Sequence, residues 1–134
     1  MKVSVVMPVY NAAGSVLQAL ESLRAQSYNP LEIIVVNDGS TDGTLELLRR
    51  PKDIQLLDHS HRGIAAALND GLAAARGDYI ARMDADDSCH PERIEQQASF
   101  LDTFPDIGVV GCRVAFGGHR EKQAGYAAYV DWIN

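Results

Sequence analysis

Basic residues are in short supply in this sequence. Against eighteen Asp and Glu stand twelve Lys and Arg, leaving a net charge of −6 over 134 residues. With no block of Lys or Arg, the chain offers no electrostatic surface for nucleic acid or for an anionic membrane. Cysteine is scarce as well. Cys89 and Cys112 sit in no paired-ligand spacing, so a disulfide framework is excluded and a reduced, cytoplasmic setting is expected. No apolar run approaches the roughly 20 residues of a membrane span, so no transmembrane segment is expected. The start, Met1 to Pro8, has one basic residue and a short apolar run cut by proline, which reads as a first strand and not a signal peptide. Glycine-rich phosphate loops are missing too. Neither Gly-x-x-x-x-Gly-Lys-Ser/Thr nor a Gly-x-Gly-x-x-Gly after the first strand occurs, so any bound phosphate must be held by metal and side chains.

What the chain does have is concentrated acid. Asp78-Tyr79-Ile80-Ala81-Arg82-Met83 begins as a strand and runs into Asp84-Ala85-Asp86-Asp87. Carboxylates packed this closely repel one another unless something positive sits among them. A hard divalent cation is the simplest remedy, because Mg²⁺ and Mn²⁺ favour carboxylate oxygens and keep positions open for phosphate. An acidic turn capping the helix after Pro91 explains the same residues equally well, and the motif alone does not separate the two.

The wider pattern alternates short apolar runs with helical segments. Val3 to Val9 reads as a first strand, and Val16, Leu17, Leu20 and Leu23 recur at helical spacing before an end near Ser27 to Pro30. Leu31 to Val36 forms a second strand suited to burial on both faces. Ser40, Thr41 and Asp42 supply capping oxygens for a helix carrying Leu45, Leu47 and Leu48, stopped by Pro51. Ile54 to Leu57 is a third strand; Ile64, Leu68 and Leu72 define a helix with Gly77 as its expected C-cap. After the acidic strand, Pro91 suits a first helical turn, with Ile94, Ala98 and Leu101 facing the core. Val109-Val110-Gly111-Cys112 is expected as a fifth strand. The predicted class is therefore α/β: a doubly wound, mainly parallel, Rossmann-like sheet with helices on both faces. Tyr10 and Asn11, Asn37 and Asp38, and Asp84 to Asp87 all fall just past strand ends, where open parallel sheets bind ligands. A strand order of 3-2-1-4 would bring Tyr10, Asp38 and Asp86 towards one crevice.

Other polar features have plainer explanations. Asp38-Gly39-Ser40-Thr41-Asp42-Gly43 imitates the opening of a calcium loop, but its twelfth position falls on Arg49 and a strand precedes it. Asp38 is left over from the capping account, which makes it a ligand candidate. His59 and His61 lack a third ligand nearby and read as loop residues, not zinc ligands. Arg62 is a surface arginine or a phosphate helper at a helix start, whose N-terminus itself suits an anion. Tyr126, Tyr129, Val130 and Ile133 have helical spacing and are expected to pack on the sheet.

Taken together, Val5-Val6-Met7-Pro8-Val9-Tyr10-Asn11, Ile33 to Asp42 and Asp84-Ala85-Asp86-Asp87 resemble family 2 glycosyltransferases of the GT-A fold, with Gly63, Asn69, Gly71 and Gly77 to Ile80 similar as well. The resemblance runs from Lys2 to about Val114. It implies an inverting transferase that moves a sugar from a nucleotide diphosphate donor, a UDP-sugar first, to an unidentified sugar or glycan acceptor. By position, Pro8, Val9 and Tyr10 would line the nucleoside pocket, and Asp38 would accept a hydrogen bond from the base. Arg62, Gly63, Asp84 and Ala85 would complete the donor site, with Asp84 by the ribose. Asp86 would hold the Mn²⁺ or Mg²⁺ that bridges the diphosphate. Asn37 departs from the acid often found beside Asp38. No residue matches the family's general base, which lies beyond the fifth strand; Glu121 and Asp131 fit no such motif. The expectation is a nucleotide-sugar-binding half over residues 1–115 and an extension over 116–134. Such a chain looks truncated, and donor binding is expected more firmly than turnover. The rival readings are a nucleotidyltransferase, which usually carries a basic glycine-rich loop after its first strand, and a non-catalytic nucleotide-binding or regulatory module.

Overall fold

Every residue from Val3 to Val9 is buried, and a strand covered on both faces belongs in the middle of a parallel sheet. That strand, β1 (Val3–Val9), is followed by α1 (Val16–Arg24), β2 (Leu31–Asp38), α2 (Thr44–Leu48), β3 (Gln55–His59), α3 (Ile64–Ala74), β4 (Tyr79–Arg82), α4 (Arg93–Thr103) and α5 (Ala124–Ile133). The computed structural model describes every residue except Met1 and Pro30, so the proline end of the expected α1 boundary lies outside the described residues. The chain divides into two compact units, Met1–Ser99 and Phe100–Asn134.

In the first unit four parallel strands lie in the order β3-β2-β1-β4, the order expected from the sequence. The pleat sends alternate residues to opposite faces. Val5, Met7, Val9, Ile33 and Val35 pack with Val16, Leu20 and Leu23 of α1 and Leu48 of α2. Ile34 and Val36 point the other way, onto Ala67 of α3. Val3 meets Ile94 and Ala98 of α4. Helices thus cover both faces. α3 approaches the sheet through small residues: a Cβ on Gly71 would stand 2.3 Å from a Val6 methyl. Its large residues Ile64 and Leu72 are exposed instead.

Several local expectations change. β3 runs to His59, two residues beyond the apolar run Ile54 to Leu57, because its backbone stays in register with Asn37 and Asp38 of β2. Gly77 is not a helix cap. α3 closes at Ala75, and Gly77 lies so near β1 that a Cβ would be 2.6 Å from the Ser4 nitrogen. Pro91 sits in a turn before α4, whose first helical residue is Arg93.

The second unit contains no strand among its described residues. The stretch from 108 to 117 is irregular, and Val109 is 86% exposed. An apolar run of this length becomes a strand only when a neighbour takes its backbone hydrogen bonds, and no pairing involves Val109 to Cys112. α5 does form where the aromatic spacing places it. Its Tyr126, Tyr129 and Trp132 are exposed, however, so the spacing marks a helix and not a buried face. Within this unit Arg120 binds Asp131 through both guanidinium ends, and the Asn134 amide closes on the Val114 backbone. No helix among the described residues is long and apolar enough to cross a membrane.

Candidate functional site

The carboxyl ends of β1, β2 and β4 open onto a cavity of about 400 Å³, a size suited to a small-molecule ligand. Pro8, Val9 and Tyr10 leave β1 into it, Asp38 ends β2, and Asp84, Ala85 and Asp86 follow β4. Adjacent parallel strands deliver these residues to one end of the sheet by register alone.

The turn after β1 is built to hold Tyr10 outward. Asn11 adopts a positive φ of 50°, a conformation that Asn tolerates better than most side chains. Its main-chain N–H donates to Ser40 Oγ at 3.0 Å, and its side-chain Oδ1 accepts the Thr41 N–H at 2.7 Å. Thr44 is fully buried, and its hydroxyl oxygen accepts the Ala12 N–H. Of the residues expected to cap α2, Asp42 does so, accepting from the Thr44 N–H while also taking the Ala13 N–H. Ser40 and Thr41 instead tie the loop after β2 to the loop after β1.

Asp38 is 4% exposed and is held by the segment after β3. Its Oδ1 accepts the Arg62 N–H at 2.8 Å and its Oδ2 the Gly63 N–H at 2.9 Å. Burial by itself would push this carboxyl up; the Arg62 and Gly63 amides and the neighbouring His61 outweigh it and hold it below the usual carboxylate range. Asn37 turns away from the cavity, donating to Asp58 of β3 at 2.8 Å. Gly39 is required here. It has a φ of 72°, and a Cβ would lie 2.6 Å from the His61 nitrogen.

The acidic loop is partly neutralised by protein. Arg82 reaches both oxygens of Asp84 at 3.1 and 3.2 Å. Asp87 is held above its usual range, first by burial and then by the charges of Asp86 and Asp84, against the opposing pull of Arg93 and Arg82. Asp86 is exposed and has no hydrogen bond or ion pair among the described residues. No group of three or more His, Cys, Asp or Glu side chains able to enclose a metal is found among the described residues. With Asp84 taken up by Arg82, the exposed Asp86 carboxylate is the oxygen donor that fits a hard divalent ion completing its shell from a phosphate ligand.

Two of the expected site residues do not line the cavity. Arg62 pairs its guanidinium with Asp70, and Gly63 contributes its N–H to Asp38. Their part is to position Asp38. One residue missed as a mere loop position, His61, does line it, stacked on Tyr10 with ring centroids 4.2 Å apart. Only the identity of His61 as a ring and potential donor, two residues after β3, hinted at this. Ile64 and Ala67 of α3 also face the cavity, which α3's approach to the sheet explains.

Comparison with known proteins supplies an independent line. The sequence matches the family model described as Glycosyl transferase family 2 over residues 4–128. It is 40% identical over 116 residues to EpsE of Bacillus subtilis, provisionally named a glycosyltransferase, covering 82% of this chain and 42% of that one. It is 39% identical over 98 residues to the uncharacterized glycosyltransferase YibD of Escherichia coli, covering 70% and 28% respectively. The chain therefore spans less than half the length of these relatives. Among solved structures, S. aureus TarS in complex with UDP superimposes with a TM-score of 0.71 and 29% identity, over 77% of this chain and 32% of that one. The mannosyltransferase PcManGT of Pyrobaculum calidifontis, in complex with GDP-Man and Mn²⁺, gives a TM-score of 0.69 and 33% identity, over 74% and 32%.

Proposed function

This chain belongs to glycosyl transferase family 2, and from that premise we propose that its cavity binds the nucleotide diphosphate of a sugar donor for inverting transfer to a sugar or glycan acceptor. The observation that carries this reading is the convergence of Tyr10, Asp38, Asp84 and Asp86 on one cavity at the carboxyl end of a parallel sheet. Tyr10 is half exposed and offers its ring to a base. Asp38, ionised and fixed by backbone amides, accepts an N–H from the base edge. Asp84, oriented by Arg82, would face the ribose, and Asp86 would hold the divalent ion. In the reaction the bond from the sugar carbon to phosphate oxygen breaks as the acceptor oxygen attacks from the opposite face. Held by Asp86, a Mn²⁺ or Mg²⁺ ion would supply positive charge to offset the charge that grows on the departing nucleoside diphosphate. The general base for the acceptor is assigned to no residue here. GDP-Man with Mn²⁺ in one neighbour and UDP in another support a nucleotide diphosphate ligand and a metal.

The test is calorimetric binding of UDP and GDP with and without Mn²⁺, to the wild-type chain and to Asp86→Asn. The metal should tighten binding to the wild type and leave the variant unchanged, with equal melting temperatures for the two proteins. If Mn²⁺ has no effect on the wild type, Asp84 to Asp87 form an acidic turn and the reading fails.

A further inference from the structure

The acidic loop depends on its two ends for its position. It leaves β4 with the Met83 N–H on the Val6 main-chain oxygen at 3.2 Å and with Ala85 buried against the core. Between Asp84 and Ser88 the described residues show one main-chain bond, from the Asp87 N–H to the Asp84 oxygen at 3.2 Å, and Asp86, Asp87 and Ser88 are exposed. The return to α4 is held from the carboxyl end of α1. Gln26, 7% exposed, follows that helix and reaches two points on the returning chain. Its Nε2 donates to the His90 main-chain oxygen at 2.8 Å, and its Oε1 accepts the Ile94 N–H at 3.0 Å. A main-chain N–H only donates and a carbonyl only accepts, so the amide has one orientation here. The Ile94 N–H belongs to the first turn of α4, whose leading amides find no partner inside the helix. Ser22, one turn earlier on α1, accepts the Cys89 N–H on its hydroxyl oxygen at 3.2 Å, and the Ser27 N–H donates to the Pro91 oxygen at 2.9 Å.

We propose that Gln26 is a positioning residue for the acidic loop: by fixing His90 and the start of α4 it sets where the exposed span after Ala85 lies, and so aims the Asp86 carboxylate at the cavity. Gln26 and the residues it bonds, Ser22, Cys89, His90 and Ile94, all stand outside the cavity lining, so the effect passes through the main chain of the loop. Asp86 makes no bond of its own among the described residues that would restore its place if the return slackened. The inference rests on the reading of Asp86 as a metal ligand, and extends it to the residue that holds that ligand in place. Loss of a group bonded directly behind a ligand typically lowers metal affinity about 10–100-fold. Gln26 stands further back, which puts its effect at the low end of that range. Replacing Gln26 by Met keeps the length of the side chain and removes both of its bonds to the returning chain.

The experiment measures the Kd of UDP with and without Mn²⁺ on the whole chain, well below the melting temperature. Without metal, Gln26→Met should bind UDP as the wild type does, because Tyr10 and Asp38 stand on other loops. With Mn²⁺ it should bind roughly tenfold more weakly than the wild type, losing most of the metal's enhancement. Ser4→Ala is the control for general loosening. Ser4 is fully buried near the amino end of β1, away from the cavity, and its hydroxyl oxygen accepts the Gly77 N–H at 2.8 Å. That variant should melt at a lower temperature and keep the enhancement. An enhancement unchanged in folded Gln26→Met overturns the proposal and leaves Gln26 as a cap for α4. So does an enhancement lost equally in Ser4→Ala, or a metal-free Kd that weakens as much as the Kd with Mn²⁺. If Gln26→Met does not fold, Ser22→Ala, which frees only the Cys89 N–H, carries the test: a smaller loss of enhancement supports the proposal and an unchanged one overturns it. Absence of any Mn²⁺ effect on the wild type is a different failure, since it removes the metal reading of Asp86 itself, and this inference with it.

Discussion

Asp38→Asn tests both the structural task of this side chain and the base contact proposed for it. The carboxylate holds the Arg62 and Gly63 amides and the His61 ring, and its side chain is 6% exposed. Asn keeps the shape but has one acceptor oxygen. If that oxygen stays with Arg62, the new NH₂ group confronts the Gly63 N–H, donor against donor, while the His61 ring keeps its bond to the main-chain oxygen of residue 38. One hydrogen bond to a charged group is lost, about 1.5–3 kcal/mol, and the His61 ring loses the negative charge beside it. A fold of about 5–15 kcal/mol survives this, with a fall in melting temperature of roughly 10 °C. Nucleotide affinity should fall as well, by about 1–3 kcal/mol for the lost acceptor. The pH dependence has a definite sign. A carboxyl held below its unfolded value, about 3.9, stabilises the fold above that pH, and the contribution disappears as pH falls through the native value. The stability gap between wild type and Asp38→Asn should therefore be full at pH 7 and close on acidification below about pH 4. Thermal unfolding of both proteins across that range is the assay. An unchanged melting temperature at pH 7, or a gap that stays constant on acidification, would refute the view that an ionised Asp38 fastens this segment.

Two further outcomes follow from the same geometry. Gly39→Ala should destabilise by about 2 kcal/mol or more, since a left-handed residue costs about 1–2 kcal/mol and the methyl group also meets the His61 backbone; urea unfolding measures it, and nucleotide affinity should drop in parallel. Asp87→Asn should raise the melting temperature at pH 7 and not at pH 3. Its carboxyl, raised by burial and by Asp86 and Asp84, favours the fold below its unfolded pKa and loses that contribution as pH rises through the folded one.

Strand order and the carboxyl-end location of the site were legible in the residues because burial leaves a strong local trace. A strand covered on both faces, such as β1, must be apolar throughout, and the intervening helices force parallel neighbours. Polar residues directly after such strands then have one place to go, which is how Tyr10, Asp38 and Asp86 could be put together from spacing alone. What depends on a partner distant in sequence left no such trace. Val109 to Cys112 is apolar enough for a strand, yet a strand needs a neighbour's hydrogen bonds and these residues have none. Gly77 follows a helix like a cap, but its smallness serves the approach of the Ser4 backbone. Arg62 and His61 lie side by side in the chain, and their side chains go to Asp70 and to Asp38. The sequence by itself determined a doubly wound sheet with acids and an aromatic ring at one end. Only the tertiary structure decided which neighbours hold those groups, because hydrogen-bond geometry is set by atoms brought together across the fold and not by residue type.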